Sequence, residues 1–197
     1  MTDISIDSVQ ATDDLLRALG EQLAAQRESF TIAVVGGSAL LALELVSRAT
    51  RDVDVLAIVD GEELTSAQPL PAALAGAAHT VARDFGLSED WLNPGPTSLL
   101  DLGLPEGFFE RAQHRHYGRG LAVLFASRVD QIHLKLYATV DQGAGKHLND
   151  LQALAPTERE LLDAAHWSQT HDPSDGYRRV LANVLAHFGI ADGNLDA

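Results

Sequence analysis

The chain has 197 residues and a formal net charge of −14, which is unfavourable for general nucleic-acid binding and suits a protein that pairs with a basic partner. Cysteine is absent, which excludes disulfides and Cys-ligated metals. The sequence predicts no membrane span and, because its start MTDISIDSVQ is acidic, no signal peptide, so we expect a cytoplasmic location.

The first predicted element is a helix over residues 9–27. Leu15, Leu19 and Leu23 recur every four positions and define its buried side. This helix is interpreted as structural.

The next stretch, TIAVVGGSALLALELVSRATRDVDVLAIVD, predicts a strand, a glycine turn, a helix and a second strand. The apolar run over residues 32–35 is typical of a buried strand. A helix is expected to follow Gly36 and to end near Thr50. Residues 52–59 are the second predicted strand.

Two features of this stretch can carry chemistry. Asp52 and Asp54 are two positions apart in a strand, so their carboxylates lie side by side, and a divalent cation such as Mg²⁺ would relieve their repulsion. Gly36, Gly37 and Ser38 stand at a helix N-terminus, where a phosphate can approach the backbone. Taken singly, Gly-Gly-Ser is typical of a turn and Asp-x-Asp of a solvated strand end. Together, joined by one helix, they predict a phosphate-binding site beside a metal-binding site.

Arg48 and Arg51 flank the two acids. They are either salt-bridge partners or bidentate ligands of triphosphate oxygens, and the sequence leaves both open.

The middle of the chain predicts a helix over residues 71–84 and a loop over 91–96, either a connection or the wall of a substrate pocket. The basic segment 111–119, RAQHRHYGR, either contacts nucleic-acid phosphate or forms a solvated helix end and turn. Residues 120–125 are apolar on both faces and predict a central strand.

The C-terminal third predicts helices. The helix over residues 127–142 carries Lys135 on an apolar stripe, where it either snorkels or reaches a cleft. The next helix begins at Lys146, and Asp150 lies four positions on, a spacing typical of a surface pair. A helix opening at Pro156 and one more helix follow, and GIADGNLDA is predicted to be a frayed acidic tail.

The spacing Gly-Ser, thirteen residues, Asp-x-Asp resembles the signature of the DNA polymerase β-like nucleotidyltransferase superfamily, with a slightly longer gap than is usual there. Together with the later segment IHLKLYATVDQGAGKHLNDLQAL, it is similar to minimal nucleotidyltransferases of the AbiEii and MenT type, toxins of type IV-like toxin–antitoxin pairs. Many superfamily members carry a third metal-binding acid on the central strand, which residues 120–125 lack. This departure favours a two-acid site helped by a lysine.

The resemblance implies a role for each motif residue. Asp52 and Asp54 would hold Mg²⁺ or Mn²⁺, and Lys135 and Asp150 would complete the catalytic set. The nucleoside triphosphate (NTP) would contact the glycine turn and nearby cations, namely Gly36, Gly37, Ser38, Arg48, Arg51 and Lys146.

The expected fold is α/β (α+β), with a small mixed sheet flanked by helices in residues 1–142 and a helical part in residues 143–197. The resemblance implies transfer of a nucleoside monophosphate (NMP) from an NTP to an RNA acceptor, such as the 3′ end of a tRNA, by a toxin with a cognate antitoxin. Two alternatives remain open: transfer of AMP to a protein hydroxyl, and a catalytically degenerate nucleotidyltransferase fold that acts as a binding module.

Overall fold

The computed structural model describes residues 5–191 and shows a mixed α/β fold with helices at its C-terminal end, which confirms the expected fold class. The chain divides into two compact units, with the boundary between Ser127 and Arg128. None of the helices within residues 5–191 has the length and apolar character needed to cross a bilayer. Most of the predicted acidic tail lies outside the described residues.

The first unit is built on a six-stranded sheet. In chain order its elements are α1 (Val9–Ala25), β1 (Phe30–Val35), α2 (Gly36–Ala42), β2 (Val53–Asp60), β3 (Glu63–Ser66), α3 (Ala72–Phe85), β4 (Leu92–Asn93), a 3-10 helix (Gly95–Leu102), α4 (Phe108–Arg111), β5 (Gln113–Tyr117) and β6 (Leu121–Phe125). The strand order is β3-β2-β1-β6-β5, and β4 pairs with β2. Strand β1 runs antiparallel to β2 and parallel to β6.

Helices α1 and α3 pack with the sheet around one hydrophobic core. The predicted leucine stripe of α1 is buried there, with Leu19 and Leu23 fully inaccessible to solvent. Burying a leucine side chain contributes about 1.5–3 kcal/mol, so this stripe is a major source of stability for the unit. Helix α3 ends as predicted, because Gly86 adopts the left-handed conformation at its C-cap.

Helix α2 is shorter than predicted and ends at Ala42 rather than near Thr50. Glu44 adopts a left-handed conformation with φ of 59°, and the Leu45 N–H donates to the Leu40 carbonyl at 2.8 Å. This is a Schellman termination formed without glycine, so the sequence carries no signal for it. The extra residues between the glycine turn and the two acids therefore lie in the exit segment and not in the helix.

The basic segment 111–119 begins at the end of the short helix α4 and finishes in a turn, as one interpretation expected. Between the two lies the edge strand β5, which the sequence did not predict. In β5, His114 and His116 are exposed. Arg115 is half-buried, and its Nη2 donates to the Ala42 carbonyl at 2.9 Å, which satisfies an acceptor at the C-terminus of α2. Arg115 is therefore engaged inside the first unit, and charged edge residues of this kind also discourage pairing with another chain.

The second unit is helical and contains α5 (Arg128–Gln142), α6 (Lys146–Ala153), α7 (Glu158–Gln169) and α8 (Asp175–His187). Helix α5 packs against the other three. Helix α7 begins with the predicted capping box, in which the side chains of Thr157 and Glu160 each accept a hydrogen bond from the backbone N–H of the other residue. The four helices predicted for this part of the chain are therefore confirmed.

Candidate functional site

Asp52 and Asp54 lie at the start of β2 on either side of Val53. Val53 is fully buried in the core, whereas both acids are partly exposed. Because side chains alternate along an extended segment, the two carboxylates project away from the core on the side opposite Val53. This is the arrangement that the Asp-x-Asp spacing predicts.

The glycine turn lies directly against the second acid. Val35, the last residue of β1, pairs with Asp54 across the antiparallel ladder, and Gly36 follows it with φ of +73°. A Cβ atom on Gly36 would overlap the Asp54 carboxylate. Glycine is therefore required at position 36 for two reasons: the left-handed backbone conformation and the close approach of the Asp54 carboxylate.

A bulge in β2 lies next to the acids. Ala33 pairs with Ala57 and Val34 pairs with Val55, so Leu56 is an extra residue in β2. Bulges of this kind change which face a strand presents and are common beside active sites.

Two side chains that the sequence did not single out hold the acids. Asn93 in β4 donates from Nδ2 to Oδ1 of Asp54 at 2.9 Å, and the Thr50 hydroxyl donates to Oδ1 of Asp52 at 3.1 Å. The oxygen of the Asn93 amide accepts from the Gly95 N–H at 2.9 Å, which fixes its orientation. The segment over residues 91–96 is thus more than a connection. Its only sequence signal was an Asn-Pro-Gly turn.

The second glycine of the turn is bordered by an arginine. A Cβ atom on Gly37 would lie 3.0 Å from the Thr50 hydroxyl and 3.3 Å from Nη2 of Arg48. The Arg48 guanidinium therefore lies beside the first turn of α2, where a positive charge favours an anion. Arg51 is exposed to solvent.

Ser38 has a different environment from the two glycines. Its side chain is fully buried, and its hydroxyl has no hydrogen-bond partner within residues 5–191. The N-cap residue of α2 is Val35, whose side chain cannot cap the helix. A phosphate at this turn would therefore meet the backbone first, and would reach the Ser38 hydroxyl only if the first turn shifted.

The predicted residues of the second unit form a buried ion pair. Nζ of Lys135 lies 2.7 Å from Oδ2 of Asp150, and the two side chains are only 7% and 1% exposed. Lys135 therefore does not snorkel, and Asp150 is not half of a surface pair with Lys146, which is exposed. The structure thus assembles Lys135 with Asp150 in one unit, and Asp52 and Asp54 with the glycine turn in the other.

The donor set in the first unit is compatible with magnesium. Among the described residues, no three His, Asp or Glu side chains are grouped closely enough to hold a metal by themselves. Mg²⁺ is usually bound by one or two carboxylates together with substrate phosphates and water. Asp52 and Asp54, oriented by Thr50 and Asn93, supply that number of carboxylates.

Comparison with known proteins assigns no family. No protein-family model matches the chain, and neither the curated proteins nor the solved structures give a significant match. The residues of the site and their contacts are therefore the basis for a functional assignment.

Proposed function

We propose that the protein is a Mg²⁺-dependent nucleotidyltransferase that moves an NMP from an NTP to an RNA acceptor such as the 3′ end of a tRNA. In this proposal it acts as the toxin of a toxin–antitoxin pair. The observation that carries the proposal is the contact of Gly36 with the Asp54 carboxylate. It joins a glycine turn suited to phosphate and an acid pair suited to Mg²⁺ within one strand–helix–strand segment, in which β1 and β2 are antiparallel.

Different residues of the first unit would bind the metal ion and the phosphates. Asp52 and Asp54 would hold Mg²⁺, which neutralises negative charge on a triphosphate when it is bound. Asn93 keeps Asp54 in one orientation through the 2.9 Å hydrogen bond. Arg48 would contact phosphate oxygens beside the glycine turn, because its guanidinium can donate two parallel hydrogen bonds to them.

The transfer itself forms one bond and breaks another. The acceptor hydroxyl oxygen bonds to the α-phosphorus of the NTP, the bond from that phosphorus to the bridging oxygen breaks, and pyrophosphate leaves. The acceptor proton passes to solvent or to a base. Catalysis of this reaction rests on positioning and on charge stabilisation, which are the properties that the carboxylates and the arginine offer.

Lys135 and Asp150 form their own pair. Asp150 accepts a hydrogen bond from Lys135 at 2.7 Å, and both side chains are buried within the second unit, so the proposal assigns them no contact with the nucleotide. Arg51 is exposed and would be a further nucleotide contact.

A transfer assay tests the proposal. The purified protein is incubated with Mg²⁺ or Mn²⁺, each α-labelled NTP in turn, and total RNA or a cell lysate. The test variant is Asp52→Asn/Asp54→Asn, which keeps the side-chain shapes and removes both charges. The matched control is Asp60→Asn, an exposed acid at the far end of β2. Label in an RNA band that is lost only in the test variant supports the proposal, whereas label in a protein band indicates transfer of AMP to protein.

Two observations favour the binding-module alternative. Strand β6 carries no acid, and Ser38 is buried away from any ligand at the turn. Calorimetric titration with each NTP and Mg²⁺ separates the two functions. If no label is transferred and no NTP binds, the nucleotidyltransferase proposal is wrong and the binding-module alternative is favoured.

A further inference from the structure

A cavity of about 420 Å³ lies at the end of the sheet opposite the two acids. It forms where β1 starts, β2 ends and the β5–β6 hairpin turns. The acids lie beside Val35 at the other end of β1, and five residues of extended chain span about 16 Å. The cavity is therefore separate from the site described above, and its volume suits a small organic ligand.

The chemistry of the lining is amphipathic. One part of the wall is apolar and is formed by Phe30, Ile58, Leu121 and Ala122. The rest of the lining includes three ionisable side chains, His116, Arg119 and Asp60, all exposed.

The opposite charges of Arg119 and Asp60 border the same cavity without pairing. Within residues 5–191, neither side chain forms a salt bridge or a hydrogen bond, with the other or with any other residue. His116 likewise has no hydrogen-bond partner in this part of the chain. A ligand that carries both a negative and a positive group can therefore use both charges without displacing an existing contact.

The hairpin that carries Arg119 is held firmly. Gly120 packs so closely on α1 that a Cβ atom there would overlap the backbone at Gly20, and a Cβ on Gly20 would overlap the Tyr117 carbonyl. The Phe30 N–H also donates to the Gly120 carbonyl at 3.0 Å, which ties the hairpin to β1. The backbone at this border is thus organised before any ligand arrives, which lowers the entropy lost on binding.

We propose that this cavity binds a small zwitterion with an apolar side chain, of the class of the branched aliphatic α-amino acids. The ligand carboxylate meets Arg119 and His116, its ammonium group meets Asp60, and its side chain lies on the apolar wall. The proposal is independent of the nucleotidyltransferase proposal, because it uses none of the same residues.

The test is an NMR titration of the ¹⁵N-labelled full chain with leucine, followed at the amide signals of Thr31, Val59 and Ala122. Two truncated probes are compared with leucine: 4-methylpentanoate, which lacks the ammonium group, and isoamylamine, which lacks the carboxylate. We expect saturable shifts with leucine and binding about tenfold weaker or more with either probe, as for the loss of one charge-assisted hydrogen bond.

Variants test the proposed roles of the charged side chains of Arg119 and Asp60. Arg119→Gln and Asp60→Asn should each weaken leucine binding about tenfold or more, whereas Arg178→Gln, an exposed arginine on α8, should leave it unchanged. Ala122→Leu should fill the cavity and abolish binding. The Asp52→Asn/Asp54→Asn variant should bind leucine as the parent chain does. Absence of saturable shifts with leucine, equal binding of leucine and both probes, or unchanged binding by Arg119→Gln would each overturn the proposal.

Discussion

Nζ of Lys135 and Oδ2 of Asp150 form a 2.7 Å ion pair in which both side chains are almost completely removed from water. The desolvation of two such charges offsets most of their attraction, so the pair adds little net stability compared with apolar side chains of similar size. Removing one partner is different, because it leaves an uncompensated charge in the interior.

The first prediction follows from this asymmetry. Asp150→Asn should lower the free energy of unfolding by about 3–5 kcal/mol, because Lys135 loses its counter-charge. The double variant Lys135→Met/Asp150→Asn should lose less than that single variant, since no buried charge remains. Urea unfolding of both variants and the parent chain measures the difference. A double variant that is less stable than Asp150→Asn would contradict the prediction.

The second prediction concerns the contact of Gly36 with Asp54. Gly36→Ala combines a left-handed backbone conformation with overlap of the new methyl group and the carboxylate. Gly61→Ala is a matched control, because Gly61 has φ of +60° and a Cβ atom there would have no other atom within 4 Å. Each should lower the free energy of unfolding by about 1 kcal/mol for the backbone alone, and Gly36→Ala should lose more.

Thermal or urea unfolding of the two glycine variants provides the comparison. The difference between them isolates the steric contact from the backbone strain. Equal losses would show that the Asp54 carboxylate moves aside freely, and the close approach would then have no energetic consequence.

Local patterns predicted much of this structure. The alternation of acid and valine at Asp52–Val55 predicted the strand and its exposed face. In a half-buried strand every second side chain faces the core, and the valines follow that spacing. The pairing of Thr157 with Glu160 predicted the start of α7, because both partners lie within one helical turn. Signals of this kind need no knowledge of the rest of the chain.

Contacts between distant residues could not be predicted in the same way. Asn93 reaches Asp54 across 39 positions, and only the pairing of β4 with β2 brings them together. The resemblance implies a shared role for Lys135 and Asp150, but their direct contact depends on how α6 folds back on α5. The early end of α2 could not be predicted, because Glu44 adopts the left-handed conformation that is usually found at glycine or asparagine.

The third prediction concerns acid. The Arg128 guanidinium donates to the Glu160 carboxylate at 2.6 Å, and this hydrogen bond is the main cause that lowers the pKa of Glu160 to about 2. A carboxyl whose pKa is lower in the folded state stabilises the fold above its unfolded pKa, near 4.5, and this contribution is lost as the pH falls towards 2. We expect a loss of about 1–2 kcal/mol, because the pair is partly exposed to solvent.

The matched variant for this prediction is Glu160→Gln, which preserves a capping-box residue and removes the charge. Its unfolding free energy should lie below that of the parent chain at pH 7, and the two should converge as the pH falls from 5 to 2. A gap that stays constant over this range would mean that the Arg128–Glu160 pair contributes no charge-dependent stability.

The fourth prediction concerns Tyr117 on the edge strand. Its hydroxyl donates to Oδ1 of Asp13 at 2.6 Å, and burial together with this carboxylate raises the pKa of Tyr117 above the ordinary range of a phenol. Tyr117→Phe should lower the free energy of unfolding by about 1.5–3 kcal/mol, the range for a hydrogen bond to a charged group.

Tyr137→Phe is the control for that variant, because the Tyr137 hydroxyl has no hydrogen-bond partner among the described residues. It should change the unfolding free energy by no more than about 0.5 kcal/mol. Denaturant unfolding at pH 7 tests both variants. Similar effects of the two substitutions would mean that the Asp13 contact does not stabilise β5.

The last prediction concerns Asn93 as a residue that positions Asp54. Asn93→Ala removes the donor at 2.9 Å but leaves the backbone pairing of β4 with β2 intact, so the fold should persist. Mutation of a residue that orients a metal ligand typically lowers metal affinity or activity by about 10–100-fold. We expect Asn93→Ala to lower the affinity for Mg²⁺ within that range. Asn183→Ala, an exposed asparagine on α8, serves as the control.

The measurement need not depend on transferase activity. Mn²⁺ is added to the ¹⁵N-labelled chain, and its paramagnetic broadening of the amide signals of Asp52, Val53 and Asp54 is followed as a function of concentration. The parent chain and Asn183→Ala should broaden at the same concentration, and Asn93→Ala should require about tenfold more or higher. Identical curves for all three would show that Asn93 does not position Asp54 for a metal, and absence of broadening in the parent chain would remove the metal site itself.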